Sequence, residues 1–333
     1  MKEDNPQLLK ATILEIQRMS TEDGPGIRTT IFFKGCSLRC AWCHNPESIA
    51  AHPQIHWIAN QCIGCKTCLD ICPEGALAFA EGSNRVDRRR CTGCGLCAEE
   101  CPAAALELLG RQWRLDALVA EIIKDRAYFE KSGGGVTLGG GEPTLQYRFN
   151  LELLKNLKTL NIHTALDTCG MCSADVLGKL LPYTDLLLFD VKEIDPFKHQ
   201  KFTGSTNDTI LDNLMLVSNC MLSGGHPKAL WIRTPVIPNA TAAEENIRGI
   251  GRFLASNLSG QVDRWELCAF NNLCRDKYLR LDLEWEYRNQ GLLSRSMMDQ
   301  VAAAAKSSGV DPKIVFWSGS TRLEDVNAES DVC

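Results

Sequence analysis

The spacing of cysteine in the first third of the chain restricts what it can fold into more than any other feature. Seventeen cysteines occur in 333 residues, and eleven of them fall into three tight groups between Cys36 and Cys101. In a small secreted chain such density signals disulfides. A chain of this length, with 44% hydrophobic residues, builds a core without them. Residues 1–6 lack the apolar run of an export signal. No stretch approaches the ~18 apolar residues of a membrane span. The expectation is a soluble, cytoplasmic protein with no membrane partner, in which closely spaced thiolates are metal ligands. The net charge of −5 gives no basic footprint for nucleic acid.

The first group, Cys36-x3-Cys40-x2-Cys43, offers three thiolates within eight residues, just after an expected strand at 29–34. A 4Fe–4S cube has four irons, each ordinarily held by a cysteine. Three ligands without an obvious fourth leave one iron open, as a catalytic metal keeps an open position. A zinc site completed by His44 or His52 is the competing reading.

The second and third groups repeat one another. Cys62-x2-Cys65-x2-Cys68-x3-Cys72-Pro73 is the bacterial ferredoxin run, and Cys91-x2-Cys94-x2-Cys97-x3-Cys101-Pro102 duplicates it. In such pairs the fourth cysteine ligates the other cluster. That assigns Cys62, Cys65, Cys68 and Cys101 to one cube and Cys91, Cys94, Cys97 and Cys72 to the other. Two zinc knuckles are the alternative. Fully ligated cubes have no site for chemistry, so they carry electrons or hold residues 51–110 together.

From about residue 111 the pattern becomes alternating helix and strand. A helix is expected over 113–131, with Leu115, Leu118, Val119, Ile122 and Ile123 on one face. Strands follow at 136–138, 163–167, 185–191, 230–234, 265–270 and 313–317. Helices are expected at 151–160, from Ala174 with Ser173 as N-cap, and at 209–220, 243–258 and 297–307. This alternation predicts an α/β fold with a parallel sheet, either a barrel or doubly wound; periodicity alone does not choose.

Polar residues gather at the expected strand ends, where parallel α/β folds place their sites. They are the run Gly139-Gly140-Gly141-Glu142-Pro143, Asp167-Thr168, Asp190-Val191-Lys192 and Arg233. Lys192, two residues after Asp190, points to the same side of its strand. A purely stabilising ion pair is the plain alternative there. Cys169, Cys172, Cys220, Cys268, Cys274 and Cys333 lack cluster spacing and read as small buried residues. Residues 321–333 form a polar tail.

Cys36-Ser37-Leu38-Arg39-Cys40-Ala41-Trp42-Cys43 resembles the CxxxCxxC signature of the radical S-adenosylmethionine (SAM) superfamily. Asp23-Gly24-Pro25-Gly26-Ile27-Arg28-Thr29 before it and His44-Asn45-Pro46-Glu47 after it resemble the glycyl-radical-enzyme activating enzymes. The likeness extends over about residues 12–320. It implies a partial (β/α)6 radical SAM barrel, started by 12–50 and completed by 111–320, with 51–110 as an inserted ferredoxin-like domain. It also implies three 4Fe–4S clusters, the one at Cys36, Cys40 and Cys43 chelated by SAM.

By the same resemblance, Gly140, Gly141 and Glu142 receive the methionyl amino group, with Glu142 as acceptor. Asp167, Thr168 and Asp190 hold a monovalent cation beside the SAM carboxylate, Lys192 stands nearby as a catalytic residue, and Arg233 contacts SAM or substrate. Where formate-lyase activase has a histidine, this chain has Asn271, which donates a hydrogen bond but does not titrate near neutral pH.

The implied activity is reductive cleavage of SAM, with hydrogen abstraction from a backbone glycine of a partner enzyme. Electrons would come from a low-potential donor such as flavodoxin or ferredoxin. Formate-lyase activase lacks the two-cluster insert, whereas activases of choline lyase, hydroxyphenylacetate decarboxylase and diol dehydratase carry one. The partner is therefore expected to be other than pyruvate formate-lyase, of choline lyase, diol dehydratase, sulfonate lyase or decarboxylase type. The rival functions are a radical SAM enzyme acting on a small molecule or peptide, and a multi-cluster electron carrier.

Overall fold

Near the N-terminus the chain forms an antiparallel pair, the partly exposed β1 (Lys10–Ser20) and the almost wholly buried β2 (Arg28–Phe33). The structure is a computed structural model that describes residues 9–80 and 83–322. The expected N-terminal feature at 1–6 and the polar tail from 323, with Cys333, lie outside those residues. After β2 the chain enters the cysteine-rich region, which holds β3 (Gln54–Trp57), β4 (Leu77–Ala80), β5 (Ser83–Val86) and β6 (Leu106–Leu109). β3 pairs with β6 and β4 with β5, both antiparallel, over a small core of Ile55, Val86, Cys97 and Leu106.

The remaining strands are β7 (Arg111–Arg114), β8 (Gly135–Gly140), β9 (His163–Thr168), β10 (Leu186–Asp190), β11 (Ala229–Val236), β12 (Arg264–Ala269) and β13 (Val315–Ser318). With β1 and β2 they form one nine-stranded sheet in the order β13-β12-β11-β10-β9-β8-β2-β1-β7. From β2 to β13 every pairing is parallel, and β1 and β7 extend one edge antiparallel. Each parallel step carries helix on the way back, as parallel strands require. Most of the long helices are half-buried and amphipathic, such as Tyr147–Thr159, which seats Phe149, Leu153, Leu154 and Leu157 on the sheet. Ser173 caps the helix Ala174–Leu180 as expected, its hydroxyl accepting from Val176 N.

Side chains alternate across the sheet. In β10, Leu187 and Phe189 join the main core under the helices, while Leu186 and Leu188 face the other side with Ala165. The same alternation puts Asp190 on that inner side, so the most apolar strand ends in an inward carboxylate.

The expected helix over 113–131 is instead a strand and two helices. Trp113 pairs with Ala11 in the β7–β1 ladder, and helix spans Leu115–Ile123 and Arg126–Ser132. The break falls at Asp125, a buried residue whose carboxylate takes Thr29 Oγ1 at 2.7 Å and Arg18 Nη1 at 2.9 Å. A tertiary demand on one side chain overrides the periodicity.

The Asp23–Thr29 turn begins β2 and lies at the opposite end of that strand from the cysteine loop. It rests on the backbone at Gly134, where an added Cβ would stand 1.8 Å from Ile27 O. Arg28 is fully buried beneath it, donating to Thr137 Oγ1 at 2.7 Å and Val136 O at 2.8 Å. Gly134→Ala is therefore expected to cost roughly 2–3 kcal/mol, the upper part of the range for overpacking. Urea unfolding of the apoprotein measures it.

Candidate active site

The loop Cys36–Cys43 leaves the end of β2 without regular structure of its own. Its amide groups are tied elsewhere: Arg39 N donates to Thr203 O at 2.7 Å and Ala41 N to Phe202 O at 2.9 Å. Trp42 packs on Phe202, ring centroids 5.9 Å apart. The loop forms one wall of a cavity of about 390 Å³ at the carboxyl ends of the parallel strands. Cys36, Cys40, Cys43, Gly140, Gly141, Asp167, Thr168, Asp190, Lys192, Arg233 and Asn271 all line it.

Glu142 does not line that cavity. Its carboxylate is fully buried and takes four protein donors: Thr144 N and Oγ1 at 3.0 and 2.7 Å, Thr168 Oγ1 at 2.8 Å and Cys169 N at 2.9 Å. The glycines before it serve close approach. A Cβ on Gly141 would stand 2.1 Å from Gly35 O, and Gly141 N donates to Phe33 O at 3.0 Å. Gly140 and Gly141 thus present backbone to the cavity while Glu142 fastens the turn from behind.

The charged residues meet across the sheet register. Asp190 pairs with Arg233 and Arg233 with Glu266 on adjacent strands. Arg233 Nη1 lies 3.1 Å from Asp167 Oδ2, and Lys192 Nζ bonds the Asp190 carboxylate. Burial, opposed by Arg233 and reinforced by Asp190, pushes the Asp167 carboxyl up to about 7. Burial works hardest against the Lys192 and Arg233 cations, but their anionic neighbours together, led by Asp190 for Lys192 and by Asp167 for Arg233, outweigh it and hold both protonated.

Burial pushes the Cys36 thiol up to about 11 and raises Cys40 and Cys43 as well. Bare, these are thiols, and only bonding to a metal makes thiolates of them here. His44, the nearest histidine to the loop, has Nε2 3.0 Å from Asn271 O. Asn271 accepts Leu273 N on its side-chain oxygen at 3.1 Å.

In the cysteine-rich region, Cys62, Cys65, Cys68 and Cys101 line one small cavity, and Cys72, Cys91, Cys94 and Cys97 line another. Ala76 N donates to Cys72 Sγ at 3.3 Å and Ala105 N to Cys101 Sγ at 3.2 Å, the same bond in each repeat. N–H groups aimed at sulfur favour thiolate, which fits iron–sulfur ligation. Among the described residues no three His, Cys, Asp or Glu side chains converge as ligands of a single ion would. Each set of four cysteines borders its own cavity, as ligands to the four irons of one cube would.

Sequence reasoning missed Cys169 and Cys268, which also line the main cavity. Burial raises both thiols, Cys268 to about 11. Their signal was position: each sits at a strand end beside a predicted site residue or on the inward side. Beside Trp42 of the cysteine loop, Ile237 and Phe270 supply apolar wall that no motif announced.

Three family models match parts of the chain. The Radical SAM superfamily model matches residues 87–248, a 4Fe-4S dicluster domain model 61–105, and a 4Fe-4S single cluster domain model 22–69, which contains Cys36, Cys40 and Cys43. Over 299 residues the chain is 36% identical to the (2S)-3-sulfopropanediol dehydratase activating enzyme of Klebsiella oxytoca, covering 88% of this chain and 92% of that one. It is 36% identical over 303 residues to the trans-4-hydroxy-L-proline dehydratase activating enzyme of Clostridioides difficile, covering 91% and 98%. Identity to the choline trimethylamine-lyase activating enzyme of Oleidesulfovibrio alaskensis is 36% over 305 residues, covering 89% and 95%.

Truncating the buried carboxylate strands its donors. Glu142→Ala is expected to destabilise the apoprotein by about 3 kcal/mol or more, since several buried donors lose their acceptor at once. The shift of the urea midpoint measures it, with no ligand added.

Proposed function

This chain belongs to the glycyl-radical enzyme activating enzymes of the radical SAM superfamily, and from that premise we propose that the cavity at Cys36, Cys40 and Cys43 is its active centre. When bound there, a 4Fe–4S cluster with one open iron supplies the electron that splits SAM into methionine and a 5′-deoxyadenosyl radical, which takes hydrogen from a backbone glycine of the partner enzyme. The observation that carries the reading is the lining of one cavity by the three loop cysteines together with Asp167, Asp190, Lys192 and Arg233. A pure electron carrier needs no such charged chamber.

The chain's own residues divide the work of holding SAM. The backbone of Gly140 and Gly141 meets the methionyl amino group, while Glu142 positions that turn rather than touching the ligand. Lys192 and Arg233 orient the methionyl carboxylate. Asp167, Thr168 and Asp190 hold a monovalent cation beside it, which would offset the burial and the neighbouring Asp190 charge that raise Asp167. Trp42, Ile237 and Phe270 keep water from the reacting end. Asn271 hydrogen-bonds at the position where formate-lyase activase has a histidine.

The parallel strands act as a partial (β/α)6 barrel, begun by 12–50 and completed by 111–320, with 51–110 as a ferredoxin-type insert. That insert holds two further cubes, on Cys62, Cys65, Cys68 and Cys101 and on Cys91, Cys94, Cys97 and Cys72. The paired N–H···S bonds at Cys72 and Cys101 support this assignment. A low-potential one-electron donor of the flavodoxin or ferredoxin kind feeds the clusters. The partner is a glycyl-radical enzyme other than pyruvate formate-lyase: activators of a sulfopropanediol dehydratase, a hydroxyproline dehydratase and a choline lyase are alike in their identity to this chain.

Anaerobic reconstitution with iron and sulfide is expected to load about twelve irons, as three full cubes require. With SAM and dithionite the wild type then forms 5′-deoxyadenosine, and the variant Cys36→Ala, Cys40→Ala, Cys43→Ala forms none. Wild-type protein carrying its full iron yet leaving SAM intact would overturn the reading. Lys192→Met is expected to lower the rate at least tenfold while leaving iron content unchanged, because the loss of a charge-assisted contact is worth about 1.5–3 kcal/mol.

A further inference from the structure

The segment between β12 and the helix Arg295–Lys306 makes a set of contacts that the reading above does not use. It runs back across the cysteine loop, more than two hundred residues away in sequence. Tyr278 Oη donates to Cys43 O at 2.8 Å, and Trp285 Nε1 donates to Ala41 O at 3.1 Å. These two rings stack on each other, centroids 5.1 Å apart and planes 13° from parallel. Phe270 and Tyr287 close the aromatic group, and Phe270 is also part of the cavity wall. Beside the stack, Lys277 Nζ reaches Glu47 Oε1 at 2.6 Å and Asn45 Oδ1 at 2.8 Å.

The arrangement answers a need of the loop. Irregular backbone must find partners for its carbonyls or leave them unpaired at a buried site. The amide side of the loop is held by Phe202 and Thr203. Its carbonyl side at Ala41 and Cys43, on either side of Trp42, is held by the aromatic pair. Both rings are almost completely buried, so their donors are fixed before any ligand arrives. The same segment also touches the insert, because Leu281 O accepts from Arg88 Nη2 at 3.2 Å, three residues before Cys91.

We infer that Tyr278 and Trp285 are positioning residues for the cluster loop: their side-chain donors fix the Ala41 and Cys43 carbonyls, and with them the orientation of the Cys40 and Cys43 sulfurs. Lys277 anchors the following turn in the same way. The inference rests on the proposed role of the loop, and it concerns how the loop is held rather than what it does.

Tyr278→Phe deletes the hydroxyl and keeps the ring and its stack. Hydrogen exchange of the reconstituted protein without SAM is expected to rise about tenfold at the amides of Ala41 and Cys43, the factor carried by one net hydrogen bond. Exchange in β8–β12 stays at the wild-type level. In reconstituted protein the variant binds wild-type iron, but the change that SAM produces in the EPR spectrum of the reduced cluster is altered. Lys277→Met, at a side chain 41% exposed, repeats the test without touching the stack. Wild-type exchange and an unaltered spectrum in both variants would overturn the inference, as would equal loosening of β8–β12. A wild-type spectrum that ignores SAM would instead count against the proposed function, leaving the exchange result readable on its own.

Discussion

Three strand ends are fastened together at Gly141 and Glu142, and the cavity exists because they are. Gly141 N bonds Phe33 O at the end of β2, and Glu142 N bonds Gly35 O at 2.7 Å, one residue before the first cluster cysteine. The Glu142 carboxylate then takes the hydroxyl of Thr168 and the amide of Cys169 at the end of β9. A buried carboxylate is costly unless its lone pairs are filled. Here four donors fill them, and all come from segments that must stay in register for the cavity to keep its shape. The glycines next to it are a second condition, because any side chain at 141 would push the cysteine loop off the sheet.

The inner side of the sheet then carries charge where most parallel sheets carry aliphatic core. Asp167, Asp190, Lys192, Arg233 and Glu266 form a connected set whose members offset one another's burial. The balance is close but incomplete. Lys192 and Arg233 keep their protons because acids face them, whereas burial, with Asp190 adding to it, draws Asp167 toward its neutral form. A wall so arranged is fixed in advance and gains from a ligand that brings a carboxylate to the cations and a cation to the acids. The proposed ligand SAM carries an ammonium, a carboxylate and a sulfonium, charges of both signs to set against a wall of both signs.

Much of this was legible in the sequence because the informative residues are either contiguous or placed by topology. The cysteine runs are contiguous, and the duplicated ferredoxin spacing foretold which four sulfurs share each small cavity. Asp167, Asp190, Lys192 and Arg233 were found by asking what stands at the carboxyl ends of parallel strands. Three things escaped. The break at Asp125 depends on Thr29 and Arg18, nearly a hundred residues away or more, and no periodicity encodes that. The four protein donors of Glu142 were not foreseen, because a motif states which residue is present, not which way its carboxylate turns. Cys169 and Cys268 read as small core residues because neither belongs to a run, yet strand ends bring both to the cavity.

The aromatic stack at Tyr278 and Trp285 was invisible for a further reason: its partners are backbone carbonyls, which leave no mark in a sequence. Its consequence reaches past the loop. Cys43 O is held by Tyr278, and Arg88 holds Leu281 O, so one turn of chain lies between a bond to the cysteine loop and a bond to the cysteine-rich region. Arg88 also bonds Ile55 O, at the start of that region's own small core. The cysteine-rich region and the loop are thereby referred to a common piece of backbone. The region is thus tied to the loop both by the chain that leaves Cys43 and by a segment that returns from β12. Two independent connections fix an orientation where one would leave a hinge.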